Sequence, residues 1–284
     1  MRDAPQLARS GTARAAMLAP DGIPEVRPGD DLAGLILTAL RAAGDGLDDG
    51  DVLVVTQKIV SKAEGRLVDL ATVAVSAEAA ALAERTGKDP RLVELILRES
   101  AQVLRAVPGV LIVEHRLGMI IANAGIDQSN LPPGPEAADG AKARALLLPE
   151  NPDASAAALR AALQAACGRS VAVVIADSAG RAWRRGTVGI AIGVAGLPAL
   201  QDLRGQPDRS GQPLAIKQVA LADQIASAGL LLIGEANEGR PVALLRGLAT
   251  GPGLAPTAGD QAADSGPEAG AAALLRPADE DLFR

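Results

Sequence analysis

The chain has 284 residues, enough for one large domain or two smaller ones with a hydrophobic core. Its net charge of −6 without a basic tract, together with one Trp, one Phe and no Tyr, argues against nucleic acid or an anionic membrane as a partner. A single Cys and a single His argue against disulfides, zinc cages and Ser/His or Cys/His catalysis, which leaves carboxylates, hydroxyls and cationic side chains. These groups suit hard metal ions and phosphates.

The predicted elements alternate between helices and strands, which is typical of an α/β fold. Residues 1–20 have no clear periodicity and form a poorly defined segment. The first half then predicts a helix over 32–43 capped by Asp30 or Asp31, a strand over 51–56, helices over 76–86 and 90–105, and strands over 110–114 and 118–123. After a loop over 131–140, the second half predicts a helix over 154–167, a buried strand over 171–176, an apolar stretch over 188–194, a helix over 217–228 and strands over 230–233 and 241–246.

The domain organisation predicted from these elements is one folded unit over 21–248 followed by a tail over 249–284. Residues 249–273 are rich in Gly, Ala, Pro, Ser and Asp, a composition typical of a linker. Residues 274–284 regain apolar character, and we leave open whether they dock as a short helix or stay disordered. The N-terminus lacks the pattern of a secretory signal and no apolar run reaches about 20 residues, so we expect a cytoplasmic protein.

A first candidate site follows the strand over 51–56. Lys58, Lys62 and Arg66 come at intervals of four residues and would share one face of a helix. This face either binds phosphate groups at a strand end or is an ordinary solvated helix surface.

A second candidate site follows the apolar stretch that ends at Gly125. Asp127 there can ligate Mg²⁺ or Mn²⁺, and Asn130 can bind a base or a ribose. The alternative is an Asx turn that only satisfies backbone groups.

The third candidate site is the strongest, because the clearest buried strand in the sequence leads directly into it. Asp177 can hold a cation, Ser178 offers a hydroxyl ligand, and Arg181, Arg184 and Arg185 can neutralise phosphate or carboxylate groups. The alternative is a helix N-cap followed by a basic surface loop. A fourth and weaker signal is Gln218, which begins a predicted amphipathic helix that can equally be a plain surface helix.

In combination, these segments resemble the coenzyme F420-0:L-glutamate ligase family, also called F420:gamma-glutamyl ligase. The resemblance covers roughly residues 20–248 and rests on five blocks in the same order. The blocks are Gly22–Glu25 with Arg27–Leu32, Val55–Arg66, Arg116–Gly118 through Gly125–Asn130, Asp177–Arg184 and Val219–Asp223.

The resemblance implies a two-part α/β fold with mixed sheets and unusual topology, in an intertwined homodimer. It implies GTP and two divalent cations, Mg²⁺ or Mn²⁺, with K⁺ as a further cation. The implied reaction joins L-glutamate to the lactyl carboxylate of F420-0 through an acyl phosphate, and further glutamates can follow through gamma linkages. A flavin-dependent reductase domain, present in some relatives, is not expected here.

Residue by residue, the resemblance implies that Asp127 and Asp177 are catalytic and hold one metal ion. Ser178 and, with less support, Gln218 match positions for the second. The positions implied to contact GTP are Ile23, Pro24, Glu25, Val26, Gln57, Lys62 and Asn130. Lys58, Arg66, Arg181 and Arg184 remain candidates for binding phosphate or substrate. Two other functions stay open: a metal-dependent phosphohydrolase and a non-catalytic GTP-binding regulator.

Overall fold

A computed structural model describes residues 14–132, 143–248 and 270–281. Within these ranges the helices are α1 (Leu32–Ala42), α2 (Gln57–Ala63), α3 (Ala77–Thr86), α4 (Pro90–Arg98), α5 (Pro152–Cys167) and α6 (Leu221–Ile233). The strands are β1 (Ala16–Leu18), β2 (Val52–Thr56), β3 (Leu67–Asp69), β4 (Ser100–Val107), β5 (Val110–His115), β6 (Ile120–Ala122), β7 (Arg144–Leu146), β8 (Ala172–Gly180), β9 (Thr187–Ala195), β10 (Leu200–Asp202), β11 (Gln218–Ala220) and β12 (Val242–Arg246). The fold is a mixed α/β fold with several sheets, as the sequence predicted.

The central sheet has five strands in the order β1-β12-β2-β8-β9. Only β2 and β8 run parallel to each other, and the other neighbours are antiparallel. Both parallel strands are apolar along most of their length because helices cover the two faces of the sheet.

Alternation along β2 divides its side chains between two cores. Leu53 and Val55 face the core that includes residues of α1 and α5, whereas Val52 and Val54 face the core that includes α6. On the α6 side, Gly229 brings the helix so close that a Cβ atom there would lie 2.6 Å from the Cβ of Val54.

A second part of the molecule has its own core. The three-stranded sheet β4-β5-β6 packs against α3 and α4, and the buried residues between them form a third cluster. Asp89 caps α4 with Pro90 in its first turn. A short antiparallel pair, β3 and β7, leads from α2 to this part and back.

Three predicted elements are wrong. The helix predicted over 90–105 ends at Arg98 and the chain continues as β4, and the helix predicted over 217–228 begins only at Leu221, after β11. The residues 230–233, predicted as a strand, form the last turn of α6 because a short apolar run fits either structure.

The C-terminal segment 270–275 packs against the body of the molecule. Ala271 is buried, and its N–H donates to Asp153 Oδ1 at 2.8 Å. Leu275 contacts the α1/α5 core and approaches Gly118. Leu282 and Phe283, most of the predicted linker and most of the predicted 131–140 loop lie outside the described residues. No helix in the described part of the chain is long and apolar enough to cross a membrane.

Candidate functional site

The candidate site is a cavity at one edge of the central sheet. β2 and β8 are parallel with Thr56 opposite Ala176, so their carboxyl ends reach the same edge. The segment 234–241 returns to this edge from α6, and the Thr56 N–H donates to the Pro241 carbonyl at 2.9 Å. The cavity between these segments has a volume of about 380 Å³. This volume is in the range of small-molecule sites, roughly 300–1,000 Å³.

All seven residues implied to contact GTP line this cavity. They come from the segment before α1, from α2 and from the turn after Asp127. They are Ile23, Pro24, Glu25, Val26, Gln57, Lys62 and Asn130. The fold therefore brings together positions that are separated by more than 100 residues in sequence, while their contact with GTP stays a prediction.

Lys62 and Gln57 are buried residues in the lining of the cavity, near opposite ends of α2. Lys62 is only 8% exposed, so it does not lie on a solvated helix face, and its Nζ is 2.6 Å from Glu25 Oε1 and 3.3 Å from the Asn130 carbonyl oxygen. The Gln57 Oε1 accepts a hydrogen bond from Ser61 Oγ at 2.9 Å. The Gln57 Nε2 is buried with no hydrogen-bond partner among the described residues, so a ligand oxygen would satisfy it.

Asp177 lies on the same edge, within β8. The strand extends to Gly180, four residues beyond its predicted end, so Asp177 pairs with Ile190 of β9 and does not cap a helix. Burial raises the pKa of the Asp177 carboxyl to about 7. The Ser178 N–H opposes this rise, whereas the negative charges of Asp127 and Glu235 add to it. The positive charge of Lys58 also opposes the rise, so Asp177 lies close to Asp127, Glu235 and Lys58.

Asp127 combines a turn with an ion pair. Its Oδ1 accepts hydrogen bonds from the N–H of Ser129 at 2.7 Å and from its hydroxyl at 2.8 Å, as in an Asx turn. Its Oδ2 lies 2.7 Å from Lys58 Nζ. Burial alone would raise the pKa of Asp127, but the hydrogen bonds from Lys58 and Ser129 and the charge of Lys58 hold it below the ordinary value.

The oxygen donors at this edge fit a hard divalent cation. Asp127, Asp177 and Ser178 are joined by Glu235, and Mg²⁺ in proteins is typically held by one or two carboxylates together with phosphates and water. In the described ranges, no three His, Cys, Asp or Glu side chains are grouped closely enough to hold a metal ion by themselves. A bound cation would therefore need oxygen atoms from a nucleotide or water to complete its coordination.

Five predicted residues are not among those that line the cavity: Asp127, which reaches it only through its ion pair with Lys58, and four others. Arg66 lies beyond the end of α2 and so does not share a helix face with Lys58 and Lys62. Its guanidinium donates to the Leu148 carbonyl at 2.9 Å and to Glu99 at 3.0 Å. Arg181 and Arg184 lie in the β8–β9 connection, and Gln218 is exposed in β11. Their roles in binding stay predictions.

The segment 234–241 supplies site residues that the sequence analysis missed. Glu235, Glu238 and Arg240 line the cavity, and the Arg240 Nε is buried with no hydrogen-bond partner among the described residues. The Asn130 side chain donates to the Ala236 carbonyl at 2.9 Å and so connects this segment to the second candidate site. A polar, glycine-flanked run between a helix and a strand is the signal that could have identified it.

His115 and Cys167 do not line the cavity. The His115 side chain is buried, its Nδ1 accepts from the Leu117 N–H at 3.0 Å, and its Nε2 is 3.7 Å from Glu99. These contacts lie at the end of α4 and around β5, away from the cavity, and are structural.

Comparison with known proteins identifies the family. Residues 22–247 match the family model described as F420-0:Gamma-glutamyl ligase. The coenzyme F420:L-glutamate ligase of Methanothermobacter thermautotrophicus is 42% identical over 269 residues, which cover 95% of this chain and 98% of that protein. The enzymes of the same name from Methanopyrus kandleri and Methanocaldococcus jannaschii are 48% and 38% identical, over 79% and 84% of this chain and 83% and 86% of their own lengths. The chain belongs to the F420-0:gamma-glutamyl ligase family.

Proposed function

We propose that this protein is a GTP-dependent ligase that joins L-glutamate to the lactyl carboxylate of coenzyme F420-0 in F420 biosynthesis. The observation that carries the proposal is the single cavity in which the seven predicted nucleotide positions meet Asp177 and Ser178. The shared name of relatives that align over 79–95% of the chain supports the choice of acceptor and amino acid.

The proposed reaction has two steps. A carboxylate oxygen of the acceptor first attacks the γ-phosphorus of GTP, the bond to the β-phosphate oxygen breaks, and GDP leaves. The glutamate amine then attacks the carbonyl carbon of the acyl phosphate, the C–O bond to phosphate breaks, and phosphate and a proton are released. Further gamma-linked glutamates would follow by repetition of the same chemistry on the γ-carboxylate of the glutamate just added.

The chain's own residues hold and orient the reactants in this scheme. Gln57, Lys62 and Asn130 contact the nucleotide, and the Lys62 ammonium offsets phosphate charge. The side-chain oxygens of Asp127, Asp177, Ser178 and Glu235 would hold two Mg²⁺ or Mn²⁺ ions. Glu235 joins this set because it lines the cavity together with Asp177 and Ser178. When bound, these cations offset the negative charge that develops on the phosphoryl oxygens.

The proposal includes the assembly and location implied by the resemblance. We infer an intertwined homodimer in the cytoplasm, with K⁺ as an additional cation. Light scattering during size-exclusion chromatography would test the dimer, and the expected mass is about twice the 28.6 kDa of one chain.

Dependence of GTP turnover on the two other substrates tests the function. We expect release of GDP and phosphate only when F420-0 and glutamate are both present with Mg²⁺ or Mn²⁺. Turnover of GTP in the absence of both F420-0 and glutamate would instead indicate a phosphohydrolase. Tight binding of GTP without turnover under all conditions would indicate a regulator.

A further inference from the structure

Both oxygens of the Asp127 carboxylate, a proposed metal ligand, already have donors from the chain itself. Ser129 donates twice to Oδ1, and the Lys58 ammonium lies 2.7 Å from Oδ2. The same ammonium donates to Ser129 Oγ at 2.9 Å, which closes a small ring of three side chains. A cation that binds Oδ2 must therefore compete with a positive charge already present.

Lys58 is placed where it can serve a second partner. It follows Gln57 in the first turn of α2 and lines the cavity, whereas Asp127 is not among the residues that line it. Its side chain is 31% exposed, so it is not locked by packing. A lysine has a flexible four-carbon stem and three rotatable donors, so the ammonium can change partners without movement of the backbone.

We propose that Lys58 is an exchangeable counter-ion: it neutralises Asp127 in the nucleotide-free protein and moves to the nucleotide phosphates when a divalent cation takes its place. This inference rests on the proposed function, because it requires Asp127 to be a ligand of that cation. Lys58 thus couples the metal site to the nucleotide site.

The exchange has a thermodynamic consequence. In the absence of a cation Lys58 is held by Asp127 and contributes little to GTP binding. Once the cation displaces it, its charge becomes available to the phosphates. The cation and GTP therefore strengthen each other's binding by the same factor, and part of that factor depends on Lys58.

Calorimetric titration with Mn²⁺ alone tests the first half of the exchange. The variants are Lys58→Met and Lys58→Gln, which remove the charge. The matched control is Lys88→Met, which removes a lysine that lies between α3 and α4. We expect both Lys58 variants to bind Mn²⁺ roughly three- to tenfold more tightly than the unaltered protein, because the competing charge is gone. The Lys88 variant should match the unaltered protein.

Titration with GTP tests the second half. In EDTA, the Lys58 variants should bind GTP within about twofold of the unaltered protein, and in saturating Mn²⁺ about tenfold more weakly. Unchanged Mn²⁺ affinity in both folded variants would overturn the exchange. An equal loss of GTP affinity with and without Mn²⁺ would also overturn it, since Lys58 would then bind phosphate permanently.

Two further outcomes separate this inference from the proposed function. If Asp127→Asn binds Mn²⁺ as tightly as the unaltered protein, Asp127 is not a ligand and both the metal assignment and the exchange are refuted. If the Mn²⁺ and GTP results are as expected but F420-0 gains no glutamate, the proposed acceptor is wrong and the exchange stands.

Discussion

Asp177 has a carboxyl group whose protonation is coupled to the stability of the metal-free protein. Its pKa is raised from 3.8 to about 7 by burial. The folded chain therefore binds more protons than the unfolded chain between about pH 4 and pH 7, and stability falls as the pH rises through this window. A bound divalent cation would remove this effect because it favours the charged carboxylate.

We predict that Asp177→Asn abolishes ligation and stabilises the metal-free protein at pH 8. The variant loses a cation ligand, and it also loses the buried negative charge. Thermal unfolding in EDTA at pH 5 and pH 8 would measure the second effect, with a smaller difference between the two pH values in the variant. Equal pH dependence of the two proteins, or near-normal ligation at limiting Mn²⁺, would contradict the assignment of Asp177.

We predict that Lys62→Ala raises the apparent KM for GTP by roughly ten- to hundredfold, because a charge-assisted contact to phosphate is lost. Lys62 is buried next to Glu25, so it is not an ordinary solvent-exposed lysine. Lys62→Arg keeps the positive charge and should recover part of the affinity for GTP. Steady-state kinetics with varied GTP would measure the effect, with Lys88→Ala as the control. Unchanged GTP kinetics would remove Lys62 from the nucleotide site.

At the residue scale, the sequence predicted a set of positions that the fold does bring together, but not their individual contacts. Gln57 and Lys62 were identified through their motif, and both line the cavity. Arg66 belongs to the same motif but pairs with Glu99. That contact could not be predicted, because the partner comes from the end of α4, 33 residues away.

At the scale of elements, local pattern predicted the long buried elements and failed where partners are distant. β8, α1 and α5 were predicted to within a few residues because their apolar periodicity is sustained. The helix predicted over 90–105 is too long because the 3–4 spacing of apolar residues continues to Val103, which lies in β4. The strand β11 pairs with β10 across 15 connecting residues, so no local signal indicates it.

Helix α6 packs on β2 and is followed directly by the segment 234–241. The position of this helix therefore affects the position of the site residues in that segment. We predict that Gly229→Ala destabilises the protein by about 1–3 kcal/mol, since the new methyl group would overlap with Val54. Chemical denaturation would measure the loss, with the exposed Gln224→Ala on the same helix as the control. A gain in stability would show that α6 can move away from the sheet, because Ala is intrinsically the better helix former.

At the scale of the whole molecule, the C-terminal segment is a support for the body and not a part of the cavity. Ala271 is buried and bonded to Asp153, and Leu275 packs on the α1/α5 core. We predict that deletion of residues 249–284 lowers the melting temperature but leaves ligation per folded molecule nearly unchanged. If the truncated protein folds and dimerises yet cannot ligate glutamate, the tail belongs to the site.

The segment 234–241 also belongs to this scale, because only the complete fold reveals its role. The chain passes along α6 and enters β12 beside β2, so the connection between them must cross the edge where Asp177 lies. The sequence motifs that predicted the rest of the site are local, and they cannot specify which distant segment completes it.

Mass spectrometry of the products tests the central claim most directly. The protein is incubated with F420-0, L-glutamate, GTP and Mn²⁺, and the acceptor is analysed for added glutamate. The account predicts that F420-0 gains at least one glutamate residue, with one GDP formed for each glutamate added, and that Asp177→Asn gives neither product. Consumption of GTP while F420-0 keeps its original mass would contradict it.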